Sequence, residues 1–193
     1  MSRTSPHLLI FDGFADWEPA FATAELRRSG KHQVVSVGYS GEPVVSMGGL
    51  CIVPDCELAE LDPEAVRILI LPGGDRWERE PLDEGLRALL QKLSAARTPI
   101  AAICAATTAV VRAGLHHGRK HTSNGLDYLK QEVTDYTGDA DYVDTLAVRD
   151  RGLITASGLG ALEFAREILA ELGVFSAEER EEWYRMFKDG RVT

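Results

Sequence analysis

Four apolar runs, at residues 7–11, 33–37, 65–71 and 99–103, are short and carry few polar positions. Runs of this length and continuity predict strands buried on both faces. Between and after them, apolar residues recur at helical spacing over 17–29, 82–96, 107–115, 161–172 and 177–187. Smaller pieces fill the gaps. Residues 44–46 and 50–53 flank Met47-Gly48-Gly49 as a small hairpin, and 58–61 makes a helical turn. Residues 119–123 read as a short strand, and 142–148 with 153–156 as a hairpin-like pair around Arg149-Asp150-Arg151-Gly152.

Strand and helix alternate through most of the chain. That pattern predicts a mainly parallel sheet covered by helices on both faces, a doubly wound α/β sandwich. No repeat, linker or low-complexity segment divides residues 1–193, so the expectation is one domain. Only the first six residues and the last four or so read as unstructured.

Charge then narrows the partners. The net charge is −9, and the paired cations Arg27-Arg28 and Arg119-Lys120 are isolated. Such a surface repels phosphate backbones and anionic lipid, which argues against nucleic acid and against a membrane partner. The N-terminal apolar run ends at Asp12, too short for a secretion signal. No stretch approaches the roughly 18 apolar residues of a spanning helix. The expected location is the cytoplasm. There the three cysteines, Cys51, Cys56 and Cys104, are expected as thiols and not as a disulfide framework.

In doubly wound sheets, sites form at the C-terminal ends of the strands. Cys104 lies where the run ending at Ile103 meets the next helix, the place of a nucleophile elbow. Free N–H groups and the positive helix end there would favour the thiolate and lower its pKa. Pro72-Gly73-Gly74 follows another strand, and its N–H groups could stabilise an oxyanion beside the sulfur. Glu18 opens the first helix. Spacing alone reads it as a first-turn acid complementing the dipole; beside a thiol, it would share the thiol's proton. Cys51 and Cys56 fit no zinc or redox motif and read as structural. His116, His117 and His121 have poor metal-ligand spacing, so neither a metal nor a cofactor is expected.

Together, Ala101-Ala102-Ile103-Cys104-Ala105-Ala106, Leu69-Ile70-Leu71-Pro72-Gly73-Gly74 and Glu18 in Asp16-Trp17-Glu18 resemble the ThiJ/PfpI superfamily, also called the DJ-one family. Ala113-Gly114-Leu115, Gly118-Arg119-Lys120 with Thr122, and the stretch 149–172 extend the likeness over nearly the whole chain. The resemblance implies a flavodoxin-like three-layer sandwich, usually a homodimer. It implies a low-pKa, oxidation-prone thiol at Cys104 held by Glu18, with the backbone amides of Gly74 and Ala105 facing the sulfur. Members are described as stress proteins, redox sensors, chaperones, glyoxalases, deglycases and intracellular peptidases.

This chain departs from the hydrolytic pattern. Ala105 stands where hydrolytic members often carry histidine, and Asn124 where others carry one. Asparagine cannot act as a general base near neutral pH. His121 is an auxiliary candidate, but an odd spacing from Asn124 should send it to the opposite face; its plain reading is a surface or sheet-edge histidine. No histidine follows His121, which argues against glutamine amidotransferase activity. The leading expectation is a stress-response protein in which Cys104 meets an oxidant or a small electrophile. The alternative is a glyoxalase- or deglycase-like enzyme, less readily a peptidase, using Cys104 with Glu18, and Asn124 to orient a substrate oxygen.

Overall fold

The computed structural model describes residues 4–190; residues 1–3 and 191–193, where most of the expected unstructured ends fall, lie outside the description. Order begins earlier than the apolar run suggested, because β1 (Ser5–Leu9) starts at Ser5. It is followed by α1 (Ala20–Arg28) and β2 (Val35–Gly38). A hairpin of β3 (Val44–Val45) and β4 (Cys51–Ile52) precedes β5 (Cys56–Glu57). Next come β6 (Val66–Leu71), α2 (Arg76–Arg79) and α3 (Glu84–Ala95). β7 (Ile100–Ile103) runs into a single 3-10 turn, Cys104–Ala106, and then α4 (Thr107–Arg112). The chain continues with α5 (Leu126–Glu132), β8 (Ala147–Asp150), β9 (Leu153–Ala156), α6 (Ala161–Glu171) and α7 (Ala177–Asp189).

One seven-stranded sheet has the order β5-β2-β1-β6-β7-β9-β8. All neighbours are parallel except β8, which runs antiparallel to β9. Successive side chains of a strand point to opposite faces, so a strand buried on both must be apolar throughout. β6 shows this at every position except the exposed Arg67. Leu69 and Leu71 pack with Leu86 and Leu90 of α3 and Val110 of α4 on one face. Ile68 and Ile70 pack with Leu26 of α1 and Phe164 and Ile168 of α6 on the other. The expected mainly parallel three-layer α/β sandwich is therefore present.

Three expectations change. Residues 119–123 form no strand; they contribute one bridge, His121 to Tyr142. Their backbone is held by side chains as well, since Thr122 N–H donates to Thr155 Oγ1 at 2.8 Å. β8 begins at Ala147 and not at 142. β5, α2 and α5 are additional; each is short, and α2 and α5 bury only one side chain apiece, too little to print a period on the sequence.

The C-terminal helix covers its own core. Ser176 and Glu179 form a reciprocal capping box at its start. Trp183 is 7% exposed and packs edge-on to Phe21 of α1. Trp183→Ala should cost about 3–5 kcal/mol of unfolding free energy, read by urea titration. A loss below about 1 kcal/mol would mean that the helix contributes little to this core.

Candidate active site

The C-terminal ends of β1, β6, β7 and β9 converge on one place. Cys104 leaves β7 with φ +60°, a left-handed conformation that costs a non-glycine residue roughly 1–2 kcal/mol. The turn is held in that shape from below. Thr107 Oγ1 donates to the Cys104 carbonyl at 2.6 Å, which leaves Ser123 as the donor in its 2.6 Å contact with the same hydroxyl. The strained turn is thereby tied to the segment that carries Asn124.

Glu18 arrives from the loop after β1 and is 1% exposed. Its Oε2 accepts from Gly73 N–H at 2.6 Å, and its carboxyl group hydrogen-bonds Cys104. The loop is fastened on both sides: Ala15 N–H donates to Gly73 C=O, and Met47 N–H in the hairpin connection donates to Phe14 C=O. Asp16 Oδ2 accepts from Ser46 Oγ at 2.8 Å. Glu18 is therefore a buried partner of the thiol, not a surface acid at a helix end.

Asn124 completes the set. Its Nδ2 donates to Cys104 Sγ at 3.4 Å, and its Oδ1 accepts from Gly158 N–H at 2.9 Å. The second bond fixes which end of the amide meets sulfur. Ala105 N–H also bonds the sulfur. Two glycines allow the close approach. A β carbon on Gly73 would lie 2.7 Å from both Cys104 Cβ and Glu18 Oε2, and one on Gly158 would lie 2.9 Å from Cys104 Sγ. Gly74 adopts φ +149°, and a β carbon there would meet the Gly13 carbonyl oxygen at 2.8 Å.

Comparison with known proteins identifies the family. The model of the DJ-1/PfpI family matches residues 6–171. The chain belongs to that family. A Bacillus subtilis relative, named as the uncharacterized protease YoaZ, is 37% identical over 196 residues, covering 97% of this chain and 92% of the relative. The glutathione-independent glyoxalase DJR-1.2 of Caenorhabditis elegans is 32% identical over 152 residues, 78% of either chain. Among solved structures, the DJ-1 superfamily protein Atu0886 of Agrobacterium tumefaciens superposes with a TM-score of 0.88 at 36% identity, covering 97% of this chain and 100% of that one.

The thiol of this DJ-1/PfpI member is not depressed as the elbow position led one to expect. Burial pushes Cys104 up to about 11, and the neighbouring Glu18 carboxylate pushes the same way, against the Asn124 and Ala105 donors. Burial likewise raises Glu18, against the Gly73 N–H. Helix-end donors alone predict a lowered pKa; desolvation, which leaves no mark in the sequence, outweighs them here. Two negative charges cannot share this site, so near neutral pH the pair keeps one proton. A thiolate then exists only while the proton sits on Glu18.

The remaining candidates lie elsewhere. The alternation argument for His121 does not apply, because residues 119–123 form no strand; the residue is 1% exposed and not a surface histidine. Its ring contacts the Arg119 carbonyl and Tyr136 Oη, each at 2.8 Å. Cys51 is exposed on β4, so it is not core filler; Cys56 is half-buried on the edge strand β5. Gly158 was missed by sequence reasoning, although Ser157-Gly158 directly follows the apolar run of β9, the same strand-end signal that selects Gly73. Among the described residues, no group of three or more His, Cys, Asp or Glu side chains is placed to hold a metal ion. No helix there is long and apolar enough to cross a membrane.

Proposed function

We propose that this DJ-1/PfpI protein is a protective thiol protein in which Cys104 is oxidised reversibly and then to the sulfinate. The observation that carries the reading is the buried Glu18 carboxyl on the sulfur, with Asn124 and Ala105 as further donors. Proton transfer from sulfur to Glu18 makes the nucleophile. The thiolate attacks a peroxide oxygen, an S–O bond forms, the O–O bond breaks, and the departing hydroxide takes a proton to become water. A second peroxide gives the sulfinate. The donors that face the thiolate also face the oxygens it gains. Assembly as a homodimer belongs to this proposal, and light scattering at micromolar concentration checks it.

A second reading is favoured by the same proton path and by the relative named as a glyoxalase. Here Cys104 adds to the aldehyde carbon of a small dicarbonyl, and Glu18 carries protons between substrate atoms. Amide cleavage is poorly supported, because no histidine base stands beside the sulfur: Asn124 occupies that place and both His121 ring nitrogens are engaged.

One experiment separates the two. Glu18→Gln keeps a hydrogen-bond donor but cannot carry a proton. Under the first reading the thiol proton leaves to water instead, so the variant still gains two oxygens on Cys104 with peroxide, by intact mass, while Cys104→Ser gains none. Under the second, wild type consumes methylglyoxal and both variants lose at least about 99% of that turnover. Wild type that is inert to both reagents would sink both readings.

A further inference from the structure

A cluster of aromatic polar groups lies away from the sulfur, between α4, α5 and the 119–123 segment. His116 is 3% exposed and its ring stacks on Tyr136 at 5.4 Å. The His117 ring is 4.1 Å from it and the His121 ring 5.3 Å. His116 Nε2 contacts the Thr137 carbonyl at 3.1 Å, and a carbonyl only accepts, so Nε2 bears the hydrogen. His116 Nδ1 is then a bare lone pair, buried and without a partner. The same reasoning puts the His121 hydrogen on Nδ1, facing the Arg119 carbonyl. His121 Nε2 accepts from the Tyr136 hydroxyl.

These bonds hold the strand-like segment that ends in Asn124. His121 N–H donates to Asp141 C=O, and Val143 N–H donates to His121 C=O. Three residues on, Asn124 reaches the sulfur. We infer that His116, His121 and Tyr136 form a positioning support for Asn124 that works only while His116 is uncharged, so that acid uncouples Asn124 from Cys104. The inference rests on the Cys104 site proposed above.

The charge balance around His116 makes the direction clear. A proton on Nδ1 creates a buried N–H with no acceptor, beside two more imidazoles. Burial, first, and then His117 and His121 hold the His116 pKa down, to about 4. The acids nearby are Asp135, which acts weakly on His116, and Asp139 and Asp141, which face Tyr136. Tyr142 faces His121, its hydroxyl also without a partner. His116 therefore takes its proton, and the cluster its strain, only as pH falls toward about 4.

The test compares Cys104 alkylation in wild type and Asn124→Ala across pH 7.5 to 3, with far-UV circular dichroism at each point. At pH 7.5, Asn124→Ala should react about tenfold more slowly. As pH falls, the two rates should converge while the fold persists. On a His116→Gln background, whose amide still donates to Thr137 C=O but cannot be protonated, the tenfold gap should remain at every pH. A gap that stays constant in wild type until unfolding overturns the inference, as does convergence that His116→Gln fails to prevent. Equal rates at pH 7.5 also overturn it, while leaving Cys104 and Glu18 to be judged by the Glu18 variants.

Discussion

Gly73→Ala should slow Cys104 alkylation by about a hundredfold and cost about 1–3 kcal/mol of stability. The backbone at Gly73 does not adopt a positive φ, so alanine is not refused by conformation. The penalty comes from contact alone. The new β carbon would sit 2.7 Å from Cys104 Cβ and 2.7 Å from Glu18 Oε2, closer than any such pair tolerates. Neither neighbour can yield freely. Cys104 is fixed by its strained turn, and Glu18 is buried and bonded to Gly73 N–H itself. The carboxyl must move off the sulfur yet stays charged and close by, so the thiol loses its proton acceptor while the opposing charge remains. Gly158→Ala is the comparison. Its β carbon would meet the sulfur at 2.9 Å in a partly exposed place, so reactivity should fall with little loss of stability. Urea unfolding and alkylation, measured on both variants, check the pair. Wild-type reactivity in Gly73→Ala would show that the close packing of Gly73 against Glu18 has no bearing on the thiol.

The same contrast explains what the amino-acid sequence made legible. β6 and β7 are apolar at every inward position of both faces, so length and continuity alone identified them, and with them the sheet. Cys104 and the glycine turn were legible because strand ends are where such sheets build sites. Glu18 was placed correctly by resemblance and misread by spacing, since helical position says nothing of what lies across a loop. The excursion between α4 and β8 was the least legible. Its order comes from side chains bonding backbone, as at Thr122, His121 and Asn124, and such bonds leave no period. The sign of the Cys104 shift was also out of reach. It depends on how far burial and the Glu18 charge outweigh two donors, a balance fixed only once Glu18 and the thiol share one dry place.

That balance makes Glu18→Gln the sharpest probe of the site. In wild type the last proton of the pair leaves against an existing charge, and the thiol stands near 11. The introduced amide removes the charge but keeps both bonds: its oxygen can accept from Gly73 N–H, and its N–H can donate to sulfur. Burial still opposes the thiolate; the neighbouring negative charge no longer does. The alkylation midpoint should therefore fall by about one to three units, the range expected for removing a like charge at contact distance in a partly screened site. At pH 7.5 the thiolate fraction rises accordingly, and oxidation by peroxide should accelerate. Glu18→Ala removes the same charge but strands Gly73 N–H and offers sulfur no donor, so its midpoint should fall less and its stability more. Intact mass after timed alkylation, with Cys51 and Cys56 as internal references, reads the midpoints directly. A midpoint that does not fall in Glu18→Gln would overturn the account: the neighbouring carboxylate charge would then not be what holds the Cys104 thiol up.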